Sequence, residues 1–205
     1  MKNEADKIEA RLRNLLAKQP VHAISTRKVA VVFEHPLLRV EDNRVKTVGG
    51  GAEGNGLRIL PGKQSRCALT VLPLLEDARI VLVIRYRYAP GRWSLEFPRG
   101  QESAADAAWA DAAERILSQV CGLDAQSTRL LGAVNPDPRM LSGSEIVVLA
   151  EGCVYRPDHE WDDQQFIAGT LDVPMHCLDS LIVRGRIDCG TSLAALCLYR
   201  AQYAT

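Results

Sequence analysis

Residues 79–100 read Arg-Ile-Val-Leu-Val-Ile-Arg-Tyr-Arg-Tyr-Ala-Pro-Gly-Arg-Trp-Ser-Leu-Glu-Phe-Pro-Arg-Gly, and their first ten positions form the most strand-like run in the chain. Aliphatic β-branched and aromatic residues are enriched in strands, so this run predicts a buried β-strand. Side chains alternate along a strand, and Arg85 and Arg87 are therefore expected on one face. Two adjacent guanidinium groups suit a diphosphate, because arginine binds phosphate oxygens through a bidentate fork. The competing interpretation is a pair of solvated arginines.

Downstream of this strand, an alanine-rich segment predicts a helix from about Ala104 to Cys121. Ser103 and Asp106 stand in a capping-box-like arrangement at its start, and Gly122 is placed to end it in the left-handed conformation. A further strand is predicted at residues 145–150. Two more helices are predicted near residues 175–183 and 191–202, so the order of elements is mixed α and β.

Upstream, apolar residues recur at helical spacing over residues 3–18 and predict an amphipathic helix that ends at Pro20. Short β-branched runs between residues 28 and 75 predict an antiparallel sheet. The glycine-rich residues 49–56 lack the Lys-Ser/Thr and the following helix of a phosphate loop, and they predict a floppy hairpin tip. The chain is accordingly divided into an N-terminal helix and linker (1–27), a small β-domain (28–75) and a main domain (76–205).

The charge balance argues against several classes of partner. Lys plus Arg and Asp plus Glu each number 25 in 205 residues, so the net charge is 0 and no general attraction to nucleic acid or anionic membranes is expected. The apolar runs are shorter than a membrane span, and no secretory signal is recognised, which predicts a cytoplasmic protein. The six cysteines occur singly without CxxC spacing, which favours reduced thiols over a zinc site.

Three segments together resemble a Nudix protein of the ADP-ribose pyrophosphatase type: residues 85–100, the helix that ends at Gly122, and residues 186–196. The resemblance implies an α/β/α sandwich behind a small N-terminal antiparallel β-domain, and a homodimer that exchanges its N-terminal sheets. It also implies a turn of the form Asp-x-Lys-Thr before the last helix. Here that turn reads Asp188-Cys-Gly-Thr191, with Gly190 in the lysine position.

The Nudix box, G-x5-E-x7-R-E-U-x-E-E-x-G-U with U aliphatic, is degenerate in this chain. Aligned backward from Gly122, it matches its arginine at Arg115, whereas its three helix glutamates fall on Ile116, Gln119 and Val120. Aligned forward from Gly100, the first glutamate falls on Asp106, but eight residues instead of seven then precede Arg115.

The loss of the glutamates matters because magnesium requires oxygen ligands and neutralises the charge that develops on a diphosphate during hydrolysis. Neighbouring acids do not replace them, since Asp111 and Glu114 lie on other sides of the predicted helix. Burial of Ile116 and Val120 would instead contribute about 1.5 to 3 kcal/mol each. The pattern therefore predicts a filled metal site, with no cofactor.

The leading hypothesis is a Nudix-fold homodimer that binds a nucleoside diphosphate ligand with lost or very weak hydrolysis. Its expected ligand residues are Arg85, Arg87, Glu96 and Arg99. The first alternative is an active, magnesium-dependent pyrophosphatase that uses non-standard carboxylates, and its candidates are Glu96, Glu102, Asp106, Asp137 and Glu145. The second alternative, a dimerisation scaffold, is favoured if Arg85 and Arg87 form internal salt bridges.

Overall fold

The computed structural model describes residues 2–19, 24–63, 66–159 and 166–203. The chain divides into two compact units, residues 1–63 and 64–205. The boundary predicted at residues 75/76 lies later than this division. The strand Ala68–Leu75 explains the difference, because it pairs within the sheet of the larger unit and not with the small β-domain.

The smaller unit contains one helix and a four-stranded antiparallel sheet. These are α1 (Lys2–Leu16), β1 (Ile24–Lys28), β2 (Val31–His35), β3 (Leu38–Thr47) and β4 (Glu53–Pro61). Strand β3 is central and pairs with the other three. The predicted helix at residues 3–18 is present, and its apolar side chains Ile8, Leu12, Leu15 and Leu16 are all more than half exposed.

The prediction of a floppy hairpin tip at residues 49–56 is wrong over its second half. Strand β4 begins at Glu53, and Gly54 and Gly56 pair with Val45 and Asn43 across the sheet. The turn is tighter than the glycine content suggests, because the amide of Thr47 donates to the carbonyl of Ala52 at 3.1 Å. Pairing along the whole of β3 supplies the backbone hydrogen bonds that glycine by itself does not specify.

The larger unit contains an eight-stranded mixed sheet and three helices. Its strands are β5 (Ala68–Leu75), β6 (Arg79–Arg87), β7 (Arg92–Glu96), β8 (Arg99–Gln101), β9 (Leu123–Asp124), β10 (Ser127–Val134), β11 (Glu145–Tyr155) and β12 (Ile167–Pro174). Its helices are α2 (Trp109–Cys121), α3 (Leu178–Val183) after a 3₁₀ turn at Met175–Cys177, and α4 (Gly190–Tyr203). The order β10-β11-β5-β6-β12 forms the main path, with β5 and β11 parallel.

Two buried clusters cover the two faces of this sheet. Val71, Val83 and Val148 pack with α2, whereas Leu72, Leu82 and Leu149 pack with α3 and α4. Successive residues of one strand therefore point to opposite helix layers, as the period of a strand requires. The larger unit is an α/β/α sandwich. The sequence did not predict the short strands β7, β8 and β9 or the longer strands β10 and β12. Strand β10 carries a bulge near Gly132 that interrupts its apolar pattern.

Helix α2 ends as predicted and begins later than predicted. Gly122 follows it at φ 62°, and its amide donates to the carbonyl of Ser118. The start predicted at Ala104 is wrong, because the helix begins at Trp109. Asp111 caps it instead, accepting hydrogen bonds from two backbone amides of the preceding turn at 2.9 and 3.2 Å. Asp106 accepts a hydrogen bond from the Ser103 amide, as the capping-box-like arrangement predicts, but this turn precedes the helix, and Arg115 pairs with the same carboxylate.

No helix in the described part of the chain combines the length and the hydropathy that a membrane crossing requires. The described cysteines are all free thiols, of which Cys121 and Cys153 are buried and Cys197 is exposed. Burial raises the pKa of Cys153 to about 11. Both buried thiols belong to the core beneath α2 and contribute to packing.

Candidate functional site

The first group of predicted site residues lies at the end of β6 on the face that α2 covers. Arg87 and Glu96 form a two-pronged ion pair, in which Nε of Arg87 donates to Oε2 at 3.1 Å and Nη2 donates to Oε1. The Glu96 side chain is only 3% exposed. Nη1 of Arg85 donates to the carbonyl of Arg99 at 3.4 Å. Burial, and next the charge of Arg87, lower the pKa of Arg85.

A second group lies on the opposite face of the sheet. Arg99 donates from Nε and Nη2 to the two carboxylate oxygens of Glu145, at 2.7 and 2.6 Å. Thr70 donates a third hydrogen bond to the same carboxylate. Thr70 points away from α2 because its neighbours Leu69 and Val71 pack toward that helix. The structure thus separates Arg99 from Arg87, although the sequence placed them in one ligand set.

A third ion pair connects Asp106 to helix α2. Arg115 donates to Asp106 from Nε at 3.0 Å and from Nη2 at 2.8 Å, and Nη2 also donates to the carbonyl of Gln101. The amide of Ser103 donates to the same carboxylate at 2.6 Å. These bonds, those from Arg115 first, hold the pKa of Asp106 well below its usual range. Asp106 is therefore a fixed structural anion.

The inward face of α2 is apolar at two of the three positions that the sequence alignment assigned to glutamates. Ile116 is 1% exposed and Val120 is 4% exposed, and both belong to the core. A Cβ built on Gly100 would lie 2.7 Å from Cγ1 of Ile116, so the isoleucine side chain fills the space beside the glycine. Gln119 is the third replaced position, and its amide oxygen accepts a hydrogen bond from Arg115 at 3.2 Å.

These residues do not fit a magnesium ion. Ile116 and Val120 supply no oxygen, and magnesium binds through carboxylates, carbonyls and water. Within the residues that the structure describes, no three His, Cys, Asp or Glu side chains lie close enough together to hold a metal ion. Of the remaining candidates, Asp137 organises its own loop, accepting from the amide of Arg139 at 3.1 Å. Glu102 is half-buried, and its amide donates to the carbonyl of Cys67.

A pocket of about 540 Å³ lies beside the second group, and we call it the α4 pocket. It is lined by Arg99, Val134, Asn135, Pro136, Leu141, Cys189, Gly190, Thr191 and Ala194. The sequence analysis singled out Asp137 and Glu145 from the first segment, residues 132–145, and the turn at 188–191 from the second, but it did not place the two segments together. No local signal connects them, because they meet only when β10 and β11 pack against α4.

The fold is similar to that of a solved protein, an ADP compounds hydrolase whose crystal structure is known. The TM-score is 0.74, and the match covers 90% of this chain and 96% of that chain at 18% sequence identity. No family model and no curated protein sequence matches the chain. The structural similarity supports the predicted fold class, an α+β protein with an α/β/α sandwich and an N-terminal antiparallel β-domain and helix. At this identity the likeness extends to the fold alone.

Proposed function

We propose that this protein binds a nucleoside-diphosphate-linked small molecule and lacks efficient metal-dependent hydrolysis. The observation that carries the proposal is the filled inward face of α2, where Ile116 and Val120 are buried at two positions that need carboxylates. A hydrolase of this fold needs a cation to stabilise charge on the diphosphate. Apolar side chains offer that cation no ligand.

The expected effect on catalysis is large. Metal-assisted charge stabilisation contributes several kcal/mol, and each ~1.4 kcal/mol corresponds to a tenfold change in rate. We therefore expect turnover at least ~10³-fold slower than that of relatives that keep the glutamates. The non-standard carboxylates do not compensate, because Glu96, Asp106 and Glu145 are each paired with an arginine on different parts of the unit.

Ligand binding is supported by the fold and by arginines that are held in place by buried carboxylates. A fixed guanidinium binds phosphate with less loss of side-chain entropy than a mobile one. We further propose a homodimer in the cytoplasm, with neither nucleic acid nor membrane as a partner. The zero net charge supports the last two exclusions.

One observation favours a second candidate, a dimerisation scaffold without ligand. Arg87 forms the internal salt bridge with Glu96 that this alternative requires. Nη1 of Arg85 donates to a backbone carbonyl at 3.4 Å, and the charge of Glu96 also acts on this guanidinium. We rank the scaffold second because the solved protein of similar fold is an ADP compounds hydrolase.

The deciding experiment measures hydrolysis and binding on the same sample. The purified chain is incubated with ADP-ribose, NADH and sugar nucleotides in millimolar magnesium, and calorimetry with ADP-ribose is run with and without the cation. We expect binding that magnesium changes by less than twofold, and turnover far below about 1 s⁻¹. Turnover above that rate, or tenfold tighter binding with magnesium, would support the active hydrolase instead. Absence of binding by every compound would support the scaffold.

A further inference from the structure

The α4 pocket has the size and the lining of a small-molecule site. Its volume of about 540 Å³ falls within the range of roughly 300 to 1,000 Å³ that is typical of such sites. The apolar part of its lining consists of Val134, Pro136, Leu141 and Ala194. Hydrogen-bonding side chains come from Arg99, Asn135, Cys189 and Thr191. A ligand that matches this lining has an anionic or polar group and a less polar body.

Arg99 is the group that gives this pocket its chemistry. Its Nε and Nη2 atoms are bonded to Glu145, which is 1% exposed, and Thr70 fixes the same carboxylate from the other side. A guanidinium has five N–H donors, and among the described residues the Nη1 amino group of Arg99 has no partner. The side chain is 36% exposed and lines the pocket. Glu145 therefore holds the Arg99 guanidinium in one orientation and leaves its Nη1 group able to donate to a ligand.

The start of helix α4 and the turn before it contribute further polar groups to the lining of the pocket. The Thr191 hydroxyl lies 3.3 Å from Sγ of Cys189, and both residues line the pocket. A Cβ built on Gly190 would meet no atom within 4 Å, and Gly190 does not adopt a positive φ. The absence of a side chain at this position therefore leaves unfilled space at the lining of the pocket.

We propose that the α4 pocket binds a phosphate group of a nucleotide or sugar phosphate, with Arg99 and Thr191 as its polar contacts. Arginine and hydroxyl donors complement phosphate oxygens, and the apolar residues of the lining accommodate the attached sugar or base. Because Glu145 balances the charge of Arg99, selectivity comes from the direction of the hydrogen bonds and not from net charge. This inference deepens the proposed function and rests on it for the choice of nucleotide probes.

The proposal also reassigns the phosphate contact among the predicted ligand residues. Arg87 directs two of its three guanidinium nitrogen atoms at Glu96, on the face that α2 covers. Arg99 lies on the opposite face of the sheet and borders the α4 pocket. Of the four predicted ligand residues, Arg99 is the one that lines the pocket.

The test uses the full chain and a variant that fills the pocket without straining the backbone. Gly190→Leu places a side chain in the open space, and Gly51→Leu is the matched control, because a Cβ there also meets no atom within 4 Å and its φ is not positive. Binding of ADP, ADP-ribose and inorganic pyrophosphate is measured by calorimetry. Backbone amide resonances are followed by NMR during the same titrations.

We expect Gly190→Leu to weaken ADP binding at least tenfold, Thr191→Val to weaken it severalfold, and Gly51→Leu to change it less than twofold. The amides of Gly190 and Thr191 should shift on addition of ADP or pyrophosphate. Arg99→Gln is a secondary variant, because it leaves Glu145 buried without its counter-charge and lowers stability.

The outcomes separate this inference from the proposed function. ADP-ribose binding that Gly190→Leu leaves intact, with shifts near Arg87 instead, overturns the pocket and keeps the function. Pyrophosphate binding in the pocket without any nucleotide binding keeps the pocket and overturns the function. If none of the three compounds shifts the Gly190 or Thr191 amide, the pocket assignment is overturned.

Discussion

The Ile116 side chain occupies the space that any side chain at position 100 would need. A Cβ on Gly100 would lie 2.7 Å from Cγ1 and 3.0 Å from Cδ1 of Ile116, closer than side-chain carbons approach each other in folded proteins. Position 100 therefore requires glycine because Ile116 leaves no room for a Cβ. The backbone does not require it, since the φ of Gly100 is not in the left-handed region. The same contact fills the face of α2 at Ile116, one of the three positions that the sequence alignment assigned to glutamates of the box.

Gly100→Ala should therefore destabilise the protein through overpacking, by about 1 to 3 kcal/mol. The measurement is urea unfolding followed by circular dichroism. Ile116→Ala, which removes both contacting carbons, should by itself cost about 2 to 5 kcal/mol, and combined with Gly100→Ala it should cost less than the sum of the two. Additive effects in this double-mutant cycle would show that the two side chains do not compete for the same space.

Loss of Arg87 should destabilise the protein mainly because it leaves the buried Glu96 carboxylate without its counter-charge. Arg87→Met leaves a carboxylate that is 3% exposed without its counter-charge, and we expect a loss of about 2 to 4 kcal/mol in unfolding free energy. The lower part of that range is expected, because Arg87 itself is a third exposed.

Two further variants control this result. Glu96→Gln combined with Arg87→Met should recover most of the loss, since no buried charge remains. Arg13→Met removes the arginine of an exposed pair with Glu9 and should change stability by less than about 0.5 kcal/mol. Equal losses for Arg87→Met and Arg13→Met would rule out burial as the cause.

The free energy of unfolding should decrease at acid pH, and protonation of Asp106 should account for part of this decrease. Its folded-state pKa lies below the unfolded value of about 3.9, so its contribution is present above that pH and is lost as the pH falls toward the folded-state pKa. Asp106→Asn should flatten the fall in unfolding free energy between about pH 5 and pH 2. Denaturant unfolding at several pH values tests this, and an unchanged acid slope would count against the pair with Arg115.

The small β-domain should mediate dimerisation. Val31, Val32 and Phe33 are 45%, 60% and 53% exposed on a sheet whose strands also have unpaired edges, and symmetric association would cover them. Light scattering should give twice the chain mass of 22.5 kDa. Phe33→Glu should shift the protein toward monomer. Val183→Glu, a change at an 87% exposed residue of the other unit, should not. A monomeric wild type at micromolar concentration contradicts the prediction.

The sequence by itself determined the elements whose signals are local. The strand at residues 79–87, the end of α2 at Gly122 and the last helix follow from β-branched runs, a capping glycine and helical spacing. The absence of carboxylates at Ile116, Gln119 and Val120 is likewise read directly from the order of residues in the chain.

Only the tertiary structure decided which charged groups meet. Arg99 and Glu145 are separated by 46 residues and come together because β5 lies between β8 and β11 in the sheet. The start of α2 moved to Trp109 because Arg115 draws Asp106 into an ion pair and leaves Asp111 as the cap. Side-chain pairing across a sheet depends on register and on which helix covers each face, and neither is specified by residues that are neighbours in sequence. The α4 pocket likewise depends on the tertiary structure, since residues 134–141 and 189–194 line it together only when α4 packs against the sheet.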